Sequence, residues 1–362
     1  MLKIAIIGAN LSGLSCAYRL EKYGLKPTIF EKNGQVGKTN DTNLCTFRIF
    51  NNHLGDTLHY FKKKYGLRLN PIGTLNEILM NGPNKKTLAR GKFGYIFKRG
   101  IDKTSLENQI ASLLRTPIIF DTSVNALDIM NEFDYVVVAT GENSTAKKLG
   151  VWSSTLSSYT RIAKILGKFR PTRMTMWFNV HYFKHCYAYI LPSGSTTAVF
   201  SLVVNDITRT ELDFYWRAFL EGIPFPYKII QTIDHEFNCG NVASPQIDNI
   251  YFIGNAAGMT DSFLGLGMSR VVESGIAAAD SIAQGLDYTK AIEPLIKDVQ
   301  MLHEFRRAVN TFNNKDYNRL ITLLGLPVIK QAVYRNPFFR ISHISPLVKA
   351  YNRLKYSPDI LS

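Results

Sequence analysis

The sequence predicts an α/β protein. A Rossmann-type dinucleotide-binding domain is interleaved with an antiparallel-sheet domain and followed by a helical C-terminal region. Three observations predict this. The N-terminus runs strand, glycine turn, helix and strand within about 30 residues, the length of a βαβ unit. A second apolar strand enters a small-residue turn and a long helix near residue 254. Between them, residues 156–248 alternate apolar and polar side chains in short runs.

Residues 2–7 (Leu-Lys-Ile-Ala-Ile-Ile) are an apolar, β-branched run that stops at Gly8. Over 12–23, Leu14, Ala17, Tyr18 and Leu20 fall on or near one helical face, and Gly24 ends the helix. Residues 27–31 form a second buried strand, parallel to the first. Residues 32–55 are polar and glycine-dotted and read as loop. A helix over 55–66, short strands over 67–100 and a helix over 103–114 follow. Residues 118–120 and 124–129 read as strand pieces, and 134–140 as a fully buried parallel strand. Residues 173–182, 186–191 and 196–204 read as antiparallel strands, 210–220 as a helix and 227–235 as a strand. A short strand at 250–253 leads to a helix over 268–284, and everything after 289 reads as helical. The dinucleotide-binding domain is thus expected from 1–66, 101–155 and 249–287, and the antiparallel domain from 67–100 and 156–248. Residues 288–362 are the helical, basic C-terminal region.

The chain has 362 residues, 46% hydrophobic and 20% charged, which excludes a disordered tail, a collagen and a coiled-coil rod. Its 43 Lys and Arg outnumber 28 Asp and Glu, a net charge of +15. Such an excess suits nucleic acid, an anionic membrane or an acidic ligand. With no basic tail and no zinc-finger spacing, nucleic acid is not expected, and neither is a metal. Residues 300–362 hold ten bases and three acids beside apolar runs too short to span a bilayer. That pattern fits a peripheral association with an anionic membrane surface. It also fits a helical cap whose charges are solvated. Cys16, Cys45, Cys186 and Cys239 form no C-x-x-C pair, and no signal peptide precedes the first strand. The expected setting is the cytoplasm, at the inner face of the cell membrane, with free thiols.

Two glycine constellations carry chemistry. In Gly8-x-Asn10-x-x-Gly13, Gly8 permits a tight turn and Gly13 close helix–strand packing. Leu11 and Ser12 open a helix whose free amides and dipole suit a pyrophosphate. Asn10 replaces the usual middle glycine, and asparagine tolerates positive φ. Glu31, ending the second strand, suits the hydroxyls of an adenosine ribose. A plain βα turn without a ligand is the alternative. In the second constellation, Gly254-Asn255-Ala-Ala-Gly258 is followed by Gly265-x-Gly267-Met268 and an apolar helix. Small side chains there suit a flat ring system lying against backbone, although a structural loop has the same composition.

Lys3 to Lys32, Val136 to Ser144 and residues 250–279 resemble three cofactor-contacting segments of the p-hydroxybenzoate-hydroxylase-like FAD-dependent oxidoreductases. Within that superfamily, Tyr187-Ala-Tyr189-Ile-Leu191-Pro192 is similar to the Y-x-W-x-F-P substrate-cavity signature of geranylgeranyl reductases. The Gly265/Gly267 turn followed by Glu273-Ser274-Gly275 also resembles that family, and the resemblance spans roughly residues 1–285. It implies FAD, held by Gly8, Asn10, Leu11, Ser12, Gly13, Glu31, Lys32, Arg99, Val124, Thr140, Gly141, Gly254, Asn255, Gly258, Gly265, Gly267 and Met268. It implies Cys45, Tyr187 and Tyr189 as catalytic candidates; a loop cysteine near the flavin occurs in some members. The implied reaction saturates double bonds of an isoprenoid lipid or prenylated quinone, with electrons from NAD(P)H or a ferredoxin. A flavin monooxygenase and a non-catalytic, membrane-associated flavin-binding protein are the alternatives. Asn255 and Thr140 stand where the superfamily carries Asp, and Tyr189 and Leu191 replace Trp and Phe, so a divergent substrate is expected.

Overall fold

The computed structural model describes residues 2–37, 42–51, 53 and 55–356. The chain divides into two bodies: Met1–Asp41, Lys98–Thr155 and Cys239–Leu302 form one, and Thr42–Phe97, Leu156–Asn238 and His303–Ser362 the other.

The first body is built on a six-stranded sheet. Its order is Gln246–Ile247, Ile250–Phe252, Tyr135–Val138, Ile4–Ile7, Thr28–Phe30, Ile118–Ile119. All pairs are parallel except the first. Ile6 sits between Ile29 and Val137 in register. All four residues of Ile4–Ile7 are buried, as a parallel strand covered on both faces demands. One cover is the pair of helices Leu11–Lys22 and Met268–Gln284. They approach so closely that a Cβ on Gly275 would collide with the Ser12 carbonyl. Gly13 meets the Gly8 carbonyl in the same way, so both positions need glycine. Arg19 pairs with Asp280 across the two helices, and Tyr23 donates to the same carboxylate at 2.9 Å.

The second body holds an eight-stranded sheet in the order Lys228–Val242, Trp152–Leu166, Thr197–Asn205, Ala188–Pro192, Arg173–Trp177, Gly73–Asn81, Lys86–Lys98, Asn43–Cys45. The central pairings are antiparallel apart from Gly73–Asn81 with Arg173–Trp177. One face packs on the helix Leu212–Gly222, where Phe219 meets Phe200 at 5.3 Å and Trp177 at 5.6 Å between ring centroids. Three longer helices, Tyr288–Val309, Asn314–Leu324 and Ser345–Tyr356, account for most of the C-terminal region. Among the described residues no helix is long and apolar enough to cross a membrane.

Five segments differ from the sequence reading. Ala126–Ile129 is a helical turn, not a strand, because the Asn125 side chain caps it by accepting from Leu127 N at 3.2 Å. Asn43–Cys45 is a strand inside a stretch read as loop; its end is fixed by Thr46 N donating to Tyr95 O, 49 residues away, at 2.9 Å. The strand expected over 173–182 stops at Trp177, and an Asn179-capped turn, Val180–Phe183, follows. Trp152–Leu166 is a 15-residue strand where the sequence reading named none, and Lys228–Val242, also 15 residues, runs past the expected end at 235.

Candidate active site

The first body assembles most of the residues expected around a dinucleotide. Gly8 lies at φ +108°, and a Cβ there would collide with the Ala139 carbonyl, so no side chain fits. Glu31 is buried; its Oε2 accepts from Ala9 N at 2.9 Å and its Oε1 from Asn33 N at 2.9 Å. The carboxylate is thereby fixed at the mouth of the glycine turn. Lys32 pairs with Glu142 at 2.6 Å, Thr140 Oγ1 donates to Glu142 O at 3.0 Å, and Gly141 takes φ +75° beside the Asn10 carboxamide.

Asn10 is not at positive φ. It has φ −101° and is the N-cap of Leu11–Lys22. Its Oδ1 accepts from Ser12 N at 3.1 Å, Ser12 Oγ at 2.9 Å and Gly13 N at 3.3 Å, and its Nδ2 donates to Ala139 O. Asparagine therefore replaces glycine as a cap that ties the helix start to strand Tyr135–Val138. It also occupies two amides that a pyrophosphate would otherwise meet.

The turn over 254–267 is held from three sides. Gly254 (φ +58°) packs on Ser12 Oγ and donates its N–H to Ser274 Oγ at 2.9 Å. Gly258 (φ +74°) abuts the Gly240 carbonyl. Asn255 Oδ1 accepts from the Thr260 hydroxyl, and a Cβ on Gly267 would press on that same hydroxyl. Gly265 lies at φ +65°, and Met268 opens the following helix, buried.

The sequence reading missed the ion pair that closes this turn. Asp261 is 1% exposed, and its Oδ2 accepts from Arg270 Nη2 at 2.9 Å. Its Oδ1 accepts from Phe263 N and Leu264 N at 2.9 and 2.8 Å. Arg270 also donates to Met259 O at 3.1 Å and to Leu266 O. One buried guanidinium thus staples both limbs of the loop that carries Gly265 and Gly267. The only signal was an acid and a base nine residues apart in an otherwise small and apolar stretch.

Arg99 is held by Glu107, whose Oε1 accepts from its Nε and Nη2 at 2.7 and 2.6 Å; Glu107 is fully buried. Val124 lies in the coil before the Ala126 turn, half-buried.

Cys45, Tyr187 and Tyr189 all stand in the second body. Tyr187 and Tyr189 share a face, with ring centroids 6.0 Å apart. In register, Tyr189 lies opposite Met176 on one side and Ser201 on the other, and Met176 lies opposite Met80. Met174 and Ile78 extend the row on the same pleat. This is the face turned away from Leu212–Gly222. The sheet curls enough to bring its edge strand back over it: Asn43 Nδ2 donates to Leu191 O at 3.3 Å and to Ser193 Oγ at 2.7 Å. That curl sets the strand Asn43–Cys45 against Ala188–Pro192, the strand that carries Tyr189. Burial pushes the Cys45 thiol up to about 12 and raises Tyr189 above the ordinary tyrosine range. Both groups keep their protons at neutral pH. Cys45 is therefore no thiolate nucleophile.

This architecture defines a class. The first body is a Rossmann-type dinucleotide-binding domain, and the chain has the fold of the FAD-dependent oxidoreductases. Residues 6–62 match the family described as NAD(P)-binding Rossmann-like domain. Over its full length the chain is similar to a geranylgeranyl bacteriochlorophyll reductase-like protein from Thermoplasma acidophilum, with a TM-score of 0.74 and 14% identity over 99% of this chain and 97% of that one. It is also similar to p-nitrophenol 4-monooxygenase from Pseudomonas putida DLL-E4 (TM-score 0.64, 14% identity, 97% and 98% covered). A flavin-dependent brominase matches at TM-score 0.64 and 14% identity, with 98% and 99% covered. The resemblance read from the sequence agrees with this fold.

Proposed function

We propose that this chain is an FAD-dependent reductase of carbon–carbon double bonds in a geranylgeranyl or other polyprenyl group carried by a lipid or quinone. The observation that carries the reading is the apolar, methionine-rich sheet face that presents Tyr187 and Tyr189, with the strand of Cys45 brought against it. Full-length likeness in fold to a geranylgeranyl bacteriochlorophyll reductase-like protein supports it.

The first body's residues suit FAD. The Gly8 turn and the start of Leu11–Lys22 suit the pyrophosphate, Glu31 the ribose, and the stapled 254–268 turn the ring system. Lys32, Arg99, Val124 and Thr140, all in the first body, are the further residues proposed around the cofactor. Bound there, FAD in its reduced form would supply the hydride. The chain's own part is apolar contact along the Tyr187/Tyr189/Met176 face and delivery of the proton that completes saturation. The Cys45 thiol or the Tyr189 hydroxyl gives that proton and regains one from water. The electrons come from NAD(P)H or a ferredoxin.

The Asn10 cap favours a second reading, a protein of this fold without turnover, since its side chain takes two helix-start amides. One experiment separates the readings. The purified, FAD-reconstituted protein is bleached with dithionite under argon and given a geranylgeranyl lipid. Recovery of the yellow colour, with lipid masses rising by two hydrogens per bond, is expected. No recovery sinks the reductase. Substrate-coupled oxygen consumption in air instead makes it a monooxygenase. A protein that stays colourless after reconstitution is a non-flavin binding protein.

A further inference from the structure

We propose that the outward face of the helix Ser345–Tyr356, with the turns just before it, docks the protein on an anionic lipid bilayer. The inference rests on the surface alone and does not use the redox reading.

Between residues 317 and 358 the chain has seven Lys and Arg and no Asp or Glu. The segment also concentrates exposed large apolar side chains: Val328 is 76% exposed, Phe338 69%, Leu347 72% and Leu354 70%. Isolated exposed leucines are ordinary. A run of them in one acid-free segment is not.

The helix shows how the two features combine. Its inner side is pinned. Asn352 Nδ2 donates to Glu304 O and Oε2 at 2.8 Å, Tyr351 OH lies 2.8 Å from Thr311 Oγ1, and Ser345 is buried. At about 100° per residue, Leu347, Ala350 and Leu354 fall within an arc of roughly 60° on the side opposite Ser345 and Asn352. All three are exposed. Arg353 flanks the stripe on one side and Lys355 on the other, with Lys349 further round beyond Arg353, all exposed. An apolar stripe facing solvent, rimmed by cations and backed by a fixed inner face, is the arrangement of an interfacial helix. Its leucines enter the acyl boundary while lysine and arginine reach the headgroup phosphates. A second copy of the chain is disfavoured as the occupant, because a two-fold contact would set these cationic rims against each other.

The test is vesicle flotation with the full chain, on phosphatidylcholine alone and on phosphatidylcholine with phosphatidylglycerol. Binding at least about tenfold tighter to the anionic vesicles is expected, weakening with salt. The triple change K349E/R353E/K355E should abolish that preference. The double change L347Q/L354Q should weaken anionic binding about tenfold while leaving its salt dependence. All five positions face solvent, so circular dichroism and melting should stay unchanged and confirm that each variant is folded. Equal binding to both vesicles overturns the proposal. So does full binding by the leucine variant, or a self-associated wild type that this variant dissociates in ultracentrifugation without loss of vesicle binding.

Discussion

At residue 10 the chain places a side chain where the dinucleotide-binding fingerprint has its middle glycine. The cap holds the helix Leu11–Lys22 to Ala139, yet its carboxamide oxygen sits on the Ser12 and Gly13 amides. Asn10→Gly removes that oxygen at a cost of only a few tenths of a kcal/mol in helix capping. FAD affinity, followed by quenching of flavin fluorescence, should rise several-fold. An unchanged affinity would mean the cap does not compete with the phosphates. The Asp261–Arg270 pair gives a prediction of the opposite sign. Arg270→Met leaves the Asp261 carboxylate buried without its counter-charge, and stability should fall by about 3–5 kcal/mol. Denaturant unfolding of R270M checks this, with D261N/R270M expected to recover part of the loss. Glu31, Gly8 and Gly13 were legible because each position makes a local demand: an acid at a strand end, or glycine at a turn or close packing. Asp261 and Arg270 were not, since nothing in a charged pair's spacing says that both will be buried.

Elements show a different limit. Strands Ile4–Ile7, Tyr135–Val138 and Ile250–Phe252 were readable because burial on both faces leaves continuous apolar runs. Asn43–Cys45 was not, because a three-residue strand is specified by its distant partner. Ala126–Ile129 shows that a four-residue run has too few positions for its period to tell helix from strand. The helix Tyr288–Val309 carries a testable strain. Burial raises Asp298 to about 6, Glu273 adds to the rise and Arg270 opposes it; its Oδ2 has no hydrogen-bond partner among the described residues. A carboxyl raised above its unfolded value favours the protonated fold. Stability is therefore greatest below about pH 4 for this group and declines as pH rises towards about 6. Asp298→Asn should flatten that decline and stabilise the protein at pH 7.5 by about 1–3 kcal/mol. Unfolding midpoints at pH 4.5 and 7.5 measure it; equal pH slopes in the two proteins would contradict it.

For the whole molecule, the net charge of +15 is best understood by where it lies. Two phosphates of a dinucleotide absorb little of it, and the acid-free stretch 317–358 holds a large share beside exposed leucines. The sequence by itself determined the βαβ start, the rejoining strand and helix near residue 254, the antiparallel block and the basic, helical end. Each of these is written in local periodicity, glycine placement or composition, which act over a few residues. Only the tertiary structure decided that Asn10 is a cap, that Arg270 staples the 254–267 turn and that the strand of Cys45 lies against the strand of Tyr189. It also decided which leucines of Ser345–Tyr356 face out. Those outcomes depend on how a curled sheet and crossing helices bring together residues far apart in the chain, as with Asn10 and Ala139, 129 positions apart, or Asn43 and Leu191, 148 apart. Burial and partner geometry, which fix a charge or a proton, exist only once that chain is folded.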